Sequence, residues 1–214
     1  MNRWLAHPAA KPVLWTLLAL PLAWLVWGAV QDTLGPNPAE ALIRSLGDWT
    51  LRGLVLTLAI SPLRDGTGWH QLLRHRRAIG VATFIYATLH WLAYAWLDQG
   101  LDLDALLKDV AKRPFILVGT LAWLLLLPLA ATSFNRAIKA LGPKRWQALH
   151  KAVYAIALLA ILHFFWMRSG KQLYGEVAVY AAIVFALLAW RMRRAWRSRA
   201  SAPPGQRRKP LTAA

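Results

Sequence analysis

The chain has 214 residues, 57% of them hydrophobic, with a formal net charge of +17, 13 Trp and no Cys. Soluble domains hold about 45–50% apolar residues; here the apolar residues gather in runs with the charges between them, which excludes a soluble globule and a disordered chain alike. A chain without cysteine has no disulfides, thiolate metal sites, iron–sulfur clusters or thioether-linked haem.

In chain order, residues 1–11 form a short basic N-terminus with Arg3, His7 and Lys11, and nothing in the pattern gives His7 a function. The run 12–30 is long and apolar enough to cross a bilayer, which takes about 17–25 residues. It resembles the core of a signal peptide, but it runs too long and no small-residue cleavage site follows, so it reads as a span. Asn37, Pro38 and Glu40 then make a helix start: a capping side chain, a proline at the first helical position and a carboxylate three residues after the cap. Leu42, Ile43 and Leu46 give that start an apolar face suited to the outer membrane surface. The next run, 49–63, is the shortest predicted span and contains Arg52, which either snorkels to the interface or pairs with a carboxylate of a bound cofactor. A basic linker with Arg64, Arg74, Arg76 and Arg77 leads into the span 75–97. Asp102 or Asp104 opens a second surface helix through Leu106, Leu107 and Val110. The spans 114–132, 146–167 and 176–192 follow, the first two separated by Arg136, Lys139, Lys144 and Arg145. Residues 193–214 read as a basic, disordered tail.

The linkers fix an orientation. Eight of the nine acids lie in the linkers after the first, third and fifth spans, while bases dominate the N-terminus, the other two linkers and the tail. Basic loops stay on the cytoplasmic side beside anionic lipid. The predicted fold is therefore all-α, a polytopic membrane bundle of about six transmembrane helices, N-in and C-in, with residues 12–192 as its domain. The positive charge is a topology signal, and no nucleic-acid partner is expected.

Three of the six histidines, His90, His150 and His163, lie inside apolar spans, where ionisable side chains face the protein interior or a site. One such residue reads most simply as a hydrogen-bonded core histidine; three on two helices point further. The third and fifth spans run in the same direction, and His90 and His163 fall at nearly equal depth close to the outer edge. His150 sits thirteen residues before His163, about 19–20 Å lower along a helix. Facing imidazoles on a helical bundle suit haem b, which needs no cysteine. An outer haem is expected between His90 and His163, and an inner one at His150. The second inner ligand is open: Arg77 stands thirteen residues before His90, and His75 lies fifteen before it at the membrane edge. The cluster His70, His75, Arg76 and Arg77 either anchors haem propionates or a flavin phosphate, or simply marks a cytoplasmic linker.

Longer motifs carry a resemblance. Gly47-Asp48-Trp49-Thr50-Leu51-Arg52 with Thr57-Leu58-Ala59-Ile60-Ser61-Pro62-Leu63-Arg64, Arg76-Arg77-Ala78-Ile79-Gly80 with Tyr86-Ala87-Thr88-Leu89-His90, and Trp146-Gln147-Ala148-Leu149-His150-Lys151-Ala152-Val153-Tyr154 with His163 resemble the haem-binding membrane subunit of periplasmic protein-methionine-sulfoxide reductases, the MsrQ family. That family lies within the ferric-reductase-like transmembrane group, and the similarity covers roughly residues 12–192. The resemblance implies a multi-pass b-type cytochrome of the bacterial inner membrane, with one or two haems and His90, His150 and His163 associated with them. It implies electrons from the quinone pool or a cytoplasmic flavin reductase, passed to a periplasmic molybdopterin-containing subunit that reduces methionine sulfoxide. It also implies FMN, to which no residue is assigned. Arg76 and Arg77 stand where the wider group carries a fourth histidine, which leaves the haem number open. The sequence has no G-x-G-x-x-G unit, so the expectation is a non-catalytic conduit that does not itself oxidise a nicotinamide. The alternatives are a stand-alone ferric reductase and, outside redox chemistry, a transporter or assembly factor whose histidines relay protons.

Overall fold

The computed structural model describes residues 3–170, 172 and 174–200. It is helical, with no strand among the described residues. A short turn, α1 (Arg3–Ala6), precedes α2 (Ala10–Val30), α3 (Pro38–Thr67), α4 (Leu73–Ala93), α5 (Leu103–Lys112), α6 (Pro114–Ala131), α7 (Asn135–His150), α8 (Ala152–Ser169) and α9 (Tyr174–Ala200). A 3₁₀ turn at His70–Leu72 leads into α4, and α4 widens into a π turn at Tyr94–Asp98. Five stretches are long and apolar enough to cross a membrane: Ala10–Val30, His70–Asp98, Pro114–Ala131, Asn135–Ser169 and Tyr174–Ser198. The protein is an all-α polytopic membrane bundle.

The predicted surface helix at Asn37 and the predicted span 49–63 are one element. Asn37 caps it as expected, its side chain accepting from the Glu40 N–H at 3.1 Å, but no break follows and α3 runs on for 30 residues. At 1.5 Å per residue it is about 45 Å long, ample to cross a bilayer. Its composition falls short of the five apolar stretches because its surroundings are protein. Leu51, Leu54, Leu58 and Ile60 are buried together with Thr57 and Ser61, and the Thr57 hydroxyl is answered by the Gly53 carbonyl at 2.9 Å. α2 is the converse: it is apolar all round, and only Leu25 and Gly28 are buried.

Around α3 the helices close a ring. α3 packs most extensively on α4; α4 meets α6, α6 meets α8, α8 meets α9, and α9 returns to α3, with α2 outside against α3 and α4. Two prolines shape these contacts. Pro62 has no N–H to offer the Leu58 carbonyl one turn back, and Arg191 of α9 donates to that carbonyl instead, at 2.7 Å. In α2, next to Pro21, the Tyr86 hydroxyl enters the backbone ladder, accepting from the Leu22 N–H (3.1 Å) and donating to the Leu18 carbonyl (2.8 Å).

α5 starts as expected, with Asp102 accepting from the N–H groups of Asp104 (2.9 Å) and Ala105 (3.1 Å). Leu106 is buried against Tyr94 and Ala95, while Leu103 and Leu107 face outward. α7 breaks at Gly142, whose φ of 73° places it in the left-handed region, and Pro143 follows. Past 192, helix continues through 193–200, so this part of the expected tail is helical; the remainder, 201–214, lies outside the described residues.

Candidate functional site

The end of the bundle bearing Asn37, Asp98 and Asp102 is called outer, after the charge pattern. There a cavity of about 460 Å³ opens between α3, α4, α6 and α8, within the roughly 300–1,000 Å³ usual for cofactor sites. His90 of α4 and His163 of α8 reach into it from opposite sides, their ring centres 6.1 Å apart and the planes at 76°. Each ring is fixed by one nitrogen. His90 Nδ1 lies 2.8 Å from the Ile43 carbonyl, and His163 Nδ1 lies 2.6 Å from the Phe115 carbonyl. A carbonyl only accepts, so both Nδ1 atoms carry the proton and both Nε2 atoms are left with a free lone pair. Two metal–imidazole bonds of about 2 Å on opposite faces of one ion separate the ring centres by about 6 Å. The spacing, the tautomer and the carbonyl bonds behind each ring fit a metal-centred cofactor such as haem, whose iron His90 and His163 would hold through Nε2.

One wall of this cavity is the stacked pair Trp91–Trp123, with centroids 4.8 Å apart and planes within 10°. It is cross-tied between α4 and α6: Trp91 Nε1 donates to Thr120 at 3.4 Å and Trp123 Nε1 to Thr88 at 3.1 Å. Glu40, Arg44, Asp48, Asp98 and Arg113 supply charge of both signs to the cavity's lining. Arg113 also grips Asp109 of α5 through Nε (2.6 Å) and Nη2 (2.5 Å), and the Tyr94 hydroxyl donates to the same carboxylate. Burial pushes the Asp109 carboxyl up, but the bonds from Arg113 and Tyr94 outweigh it and hold the group below the usual carboxylate range. The same bond raises Arg113 above its ordinary value.

A second cavity, of about 590 Å³, lies toward the inner end. Leu54, Thr83 and Leu126 line both cavities and are the partition between them. Arg74, Arg76, Arg77 and Lys151 line the inner cavity, and no acidic side chain does. His150, at the end of α7, lies in its wall stacked on Trp146 with ring centres 4.0 Å apart. Its Nε2 is 3.1 Å from the Thr132 hydroxyl, whose own proton goes to the Pro128 carbonyl at 2.7 Å. Nε2 therefore donates, and Nδ1 is the open nitrogen, the reverse of the outer pair.

Of the residues singled out from sequence, the structure brings His90 and His163 into one cavity and His150, Arg76 and Arg77 into the other. Arg77 additionally donates to Asn135 at 2.7 Å. His75 and Arg52 have other partners. His75 Nε2 donates to the Leu5 carbonyl at 3.1 Å, tying down α1, and does not line the inner cavity. Arg52 donates to the Tyr180 hydroxyl at 3.2 Å and lies over Trp49, lining neither cavity. Sequence reasoning missed Gly47 and Gly119, which stand against the two outer histidine rings, and Thr132, which holds His150. Gly47 entered only as the first residue of a motif that carries the resemblance, and Gly119 left no trace but a small residue within an apolar run.

The family model described as "Ferric reductase like transmembrane component" matches residues 46–161. A protein of Polaromonas naphthalenivorans named "Protein-methionine-sulfoxide reductase heme-binding subunit MsrQ" is 57% identical over 195 residues, 91% of this chain and 89% of its own length. Proteins of the same name from Azospira oryzae and Bordetella pertussis are 50% and 49% identical over 86% and 90% of this chain, and 78% and 93% of their own lengths. No solved structure matches. With relatives this similar over most of its length, and the family model covering its central helices, the chain belongs to the MsrQ family of ferric-reductase-like transmembrane proteins.

Proposed function

We propose that the protein is a b-type haem-binding membrane subunit that carries electrons across the bacterial inner membrane. The observation that carries this reading is the outer pair: two imidazoles facing each other at 6.1 Å, each with Nδ1 tied to a backbone carbonyl and Nε2 free. His90 and His163 hold the outer haem iron. A bound haem supplies reversible one-electron chemistry without proton bookkeeping. The carbonyl bonds fix the tautomer and raise the basicity of both imidazoles.

The inner cavity, with four cationic side chains and no acidic one, takes a second anionic cofactor, either another haem through its propionates or FMN through its phosphate. Arg76 and Arg77 serve that charge, and His150 offers Nδ1. Electrons enter on this side from the quinone pool or a cytoplasmic flavin reductase and leave from the outer side to a periplasmic molybdopterin-containing subunit that reduces methionine sulfoxide in oxidised proteins. The relatives are named as heme-binding subunits of a protein-methionine-sulfoxide reductase, which supports the haem-binding role, and the charge pattern supports six spans with both termini inside.

The test is haem quantification with reduced-minus-oxidised spectra on the purified chain and on His90→Ala, His163→Ala and His150→Ala. The parent should show b-type bands, and either outer substitution should remove the outer centre. His150→Ala should alter only a second centre. A parent without haem bands, or outer variants that keep a bis-imidazole signal, would overturn the assignment.

A further inference from the structure

The two outer histidines are seated in the same way on two unrelated helix pairs. His90 of α4 binds the Ile43 carbonyl of α3, and His163 of α8 binds the Phe115 carbonyl of α6. In a helix each such carbonyl is also met by the N–H four residues on, and in both cases that residue is glycine: Gly47 after Ile43, Gly119 after Phe115. Each glycine lies directly under the ring. A Cβ at position 47 would stand 3.1 Å from His90 Cε1 and 3.2 Å from its Nδ1; at position 119 it would stand 2.8 Å from His163 Nδ1 and 2.9 Å from Cε1. A methyl group at 119 would force the His163 ring to shift, and one at 47 would press the His90 ring away by a few tenths of an ångström, loosening each ring's hold on its carbonyl. Glycine inside a helix weakens it by about 1 kcal/mol against alanine, so two of them call for a reason, and the ring contacts supply one. His150 shows the alternative, held by the Thr132 hydroxyl with no helix-flank carbonyl and no glycine beneath it.

We propose that Gly47 and Gly119 are positioning residues, each opening a slot on a neighbouring helix in which a haem-facing histidine lies flat and ties Nδ1 to a backbone carbonyl. This rests on the assignment of His90 and His163 as the outer ligands. The slot sets two properties of the centre. It fixes the angle of each ring, and it keeps the Nδ1–H···O bond that makes Nε2 a stronger donor and favours the oxidised metal. A methyl group in the slot lifts the ring off its carbonyl, rotates it and weakens the donor. The midpoint potential then rises, more at position 119, where the contact is closer.

The experiment uses the full-length, haem-loaded chain in detergent, comparing Gly47→Ala, Gly119→Ala and, as a control, Gly28→Ala. A Cβ at 28 meets the end of the flexible Leu34 side chain at 2.8 Å and the Thr33 hydroxyl at an ordinary 3.5 Å, and Gly28 lines neither cavity. The readouts are the g-values of the low-spin ferric signal and a redox titration. The expected result is shifted g-values and an upward potential shift in both slot variants, larger in Gly119→Ala, with Gly28→Ala like the parent. Loss of the outer centre alone from a slot variant that still purifies as a monodisperse protein also supports the slot. If Gly119→Ala does not accumulate, the looser Gly47→Ala carries the test. Slot variants with parental g-values and potential, while His90→Ala and His163→Ala lose the centre, would sink the glycine proposal and leave the ligand assignment standing. Histidine variants that keep the signal overturn the ligand assignment, and the slots with it.

Discussion

Arg191 illustrates how a single side chain is fixed by another residue's missing atom. Pro62 leaves the Leu58 carbonyl without its helical donor, and Arg191 fills the place from α9 while also donating to Tyr154 at 3.2 Å. The Nη2 that donates to the carbonyl also lies 3.4 Å from the Ser61 hydroxyl, Nε is buried without a partner, and the guanidinium serves the carbonyl and these two hydroxyls. Arg191→Ala should therefore lower stability by about 1–3 kcal/mol, the cost of an unanswered buried acceptor. In a Pro62→Ala background, where residue 62 regains an N–H, the same change should cost clearly less. Thermal unfolding of the four proteins in detergent, followed by circular dichroism, closes the double-mutant cycle; equal costs in both backgrounds would refute the link. Residue-level legibility follows the same logic. His90 and His163 were readable because an ionisable group in an apolar run is costly and depth is countable at 1.5 Å per residue. Gly47, Gly119 and Thr132 were not, because their roles depend on which helix lies beside which. Arg52 and His75 were unusual in the sequence for the right reason, but their partners, Tyr180 and the Leu5 carbonyl, lie far along the chain and no local pattern announces them.

At the scale of elements, the sequence announced helix starts better than helix extents. The caps at Asn37 and Asp102 form as read, since capping is a matter of three or four neighbouring residues. That α3 runs unbroken from Pro38 to Thr67 depends on burial against α4, α8 and α9, which hydropathy does not register. α5 is the element most exposed to solution conditions. It is tied to the mouth of the outer cavity by Asp109, which receives bonds from Arg113 and Tyr94. Because these bonds hold the folded carboxyl below its unfolded value, their contribution is complete above the ordinary carboxylate pKa of about 4 and is lost as pH falls through the lower folded value. Hydrogen-exchange protection of α5, corrected for intrinsic rates, should be flat from about pH 5 to 8 and should drop in more acidic solution. Asp109→Asn should remove the acid-dependent step and leave α5 poorly protected throughout. Protection that falls between neutrality and pH 5 would mean another group holds the helix.

For the whole molecule the open quantity is the number of crossings, and it turns on α3. If α3 crosses, the chain has six spans and every basic linker faces the same side: Arg64 to Arg77, Arg136 to Arg145, and the bases that begin at Arg191. If it does not, the five apolar stretches alone put the Arg64–Arg77 and Arg136–Arg145 linkers across the membrane from the N-terminus, and the acid-rich α5 linker on the cytoplasmic face. That inverts the rule by which short basic loops stay inside. It would also strand the inner cavity's arginines on the side without anionic lipid. The six-span arrangement satisfies both, and the length and buried core of α3 suit a crossing inside a protein ring. The absence of cysteine gives a clean background for the test. Single cysteines at Gln31, Gly66, Lys108 and Arg136, all exposed positions, should label with a membrane-impermeant maleimide on spheroplasts only at Gln31 and Lys108, with Gly66 and Arg136 reacting after lysis. A five-span chain entering from inside would instead label at Gln31, Gly66 and Arg136 together and spare Lys108. Gln31 labels in both topologies and reports that the reagent reaches the outer face, while Gly66, Lys108 and Arg136 each separate the two, and Gly66 reacting from the same side as Gln31 would remove α3 from the set of spans.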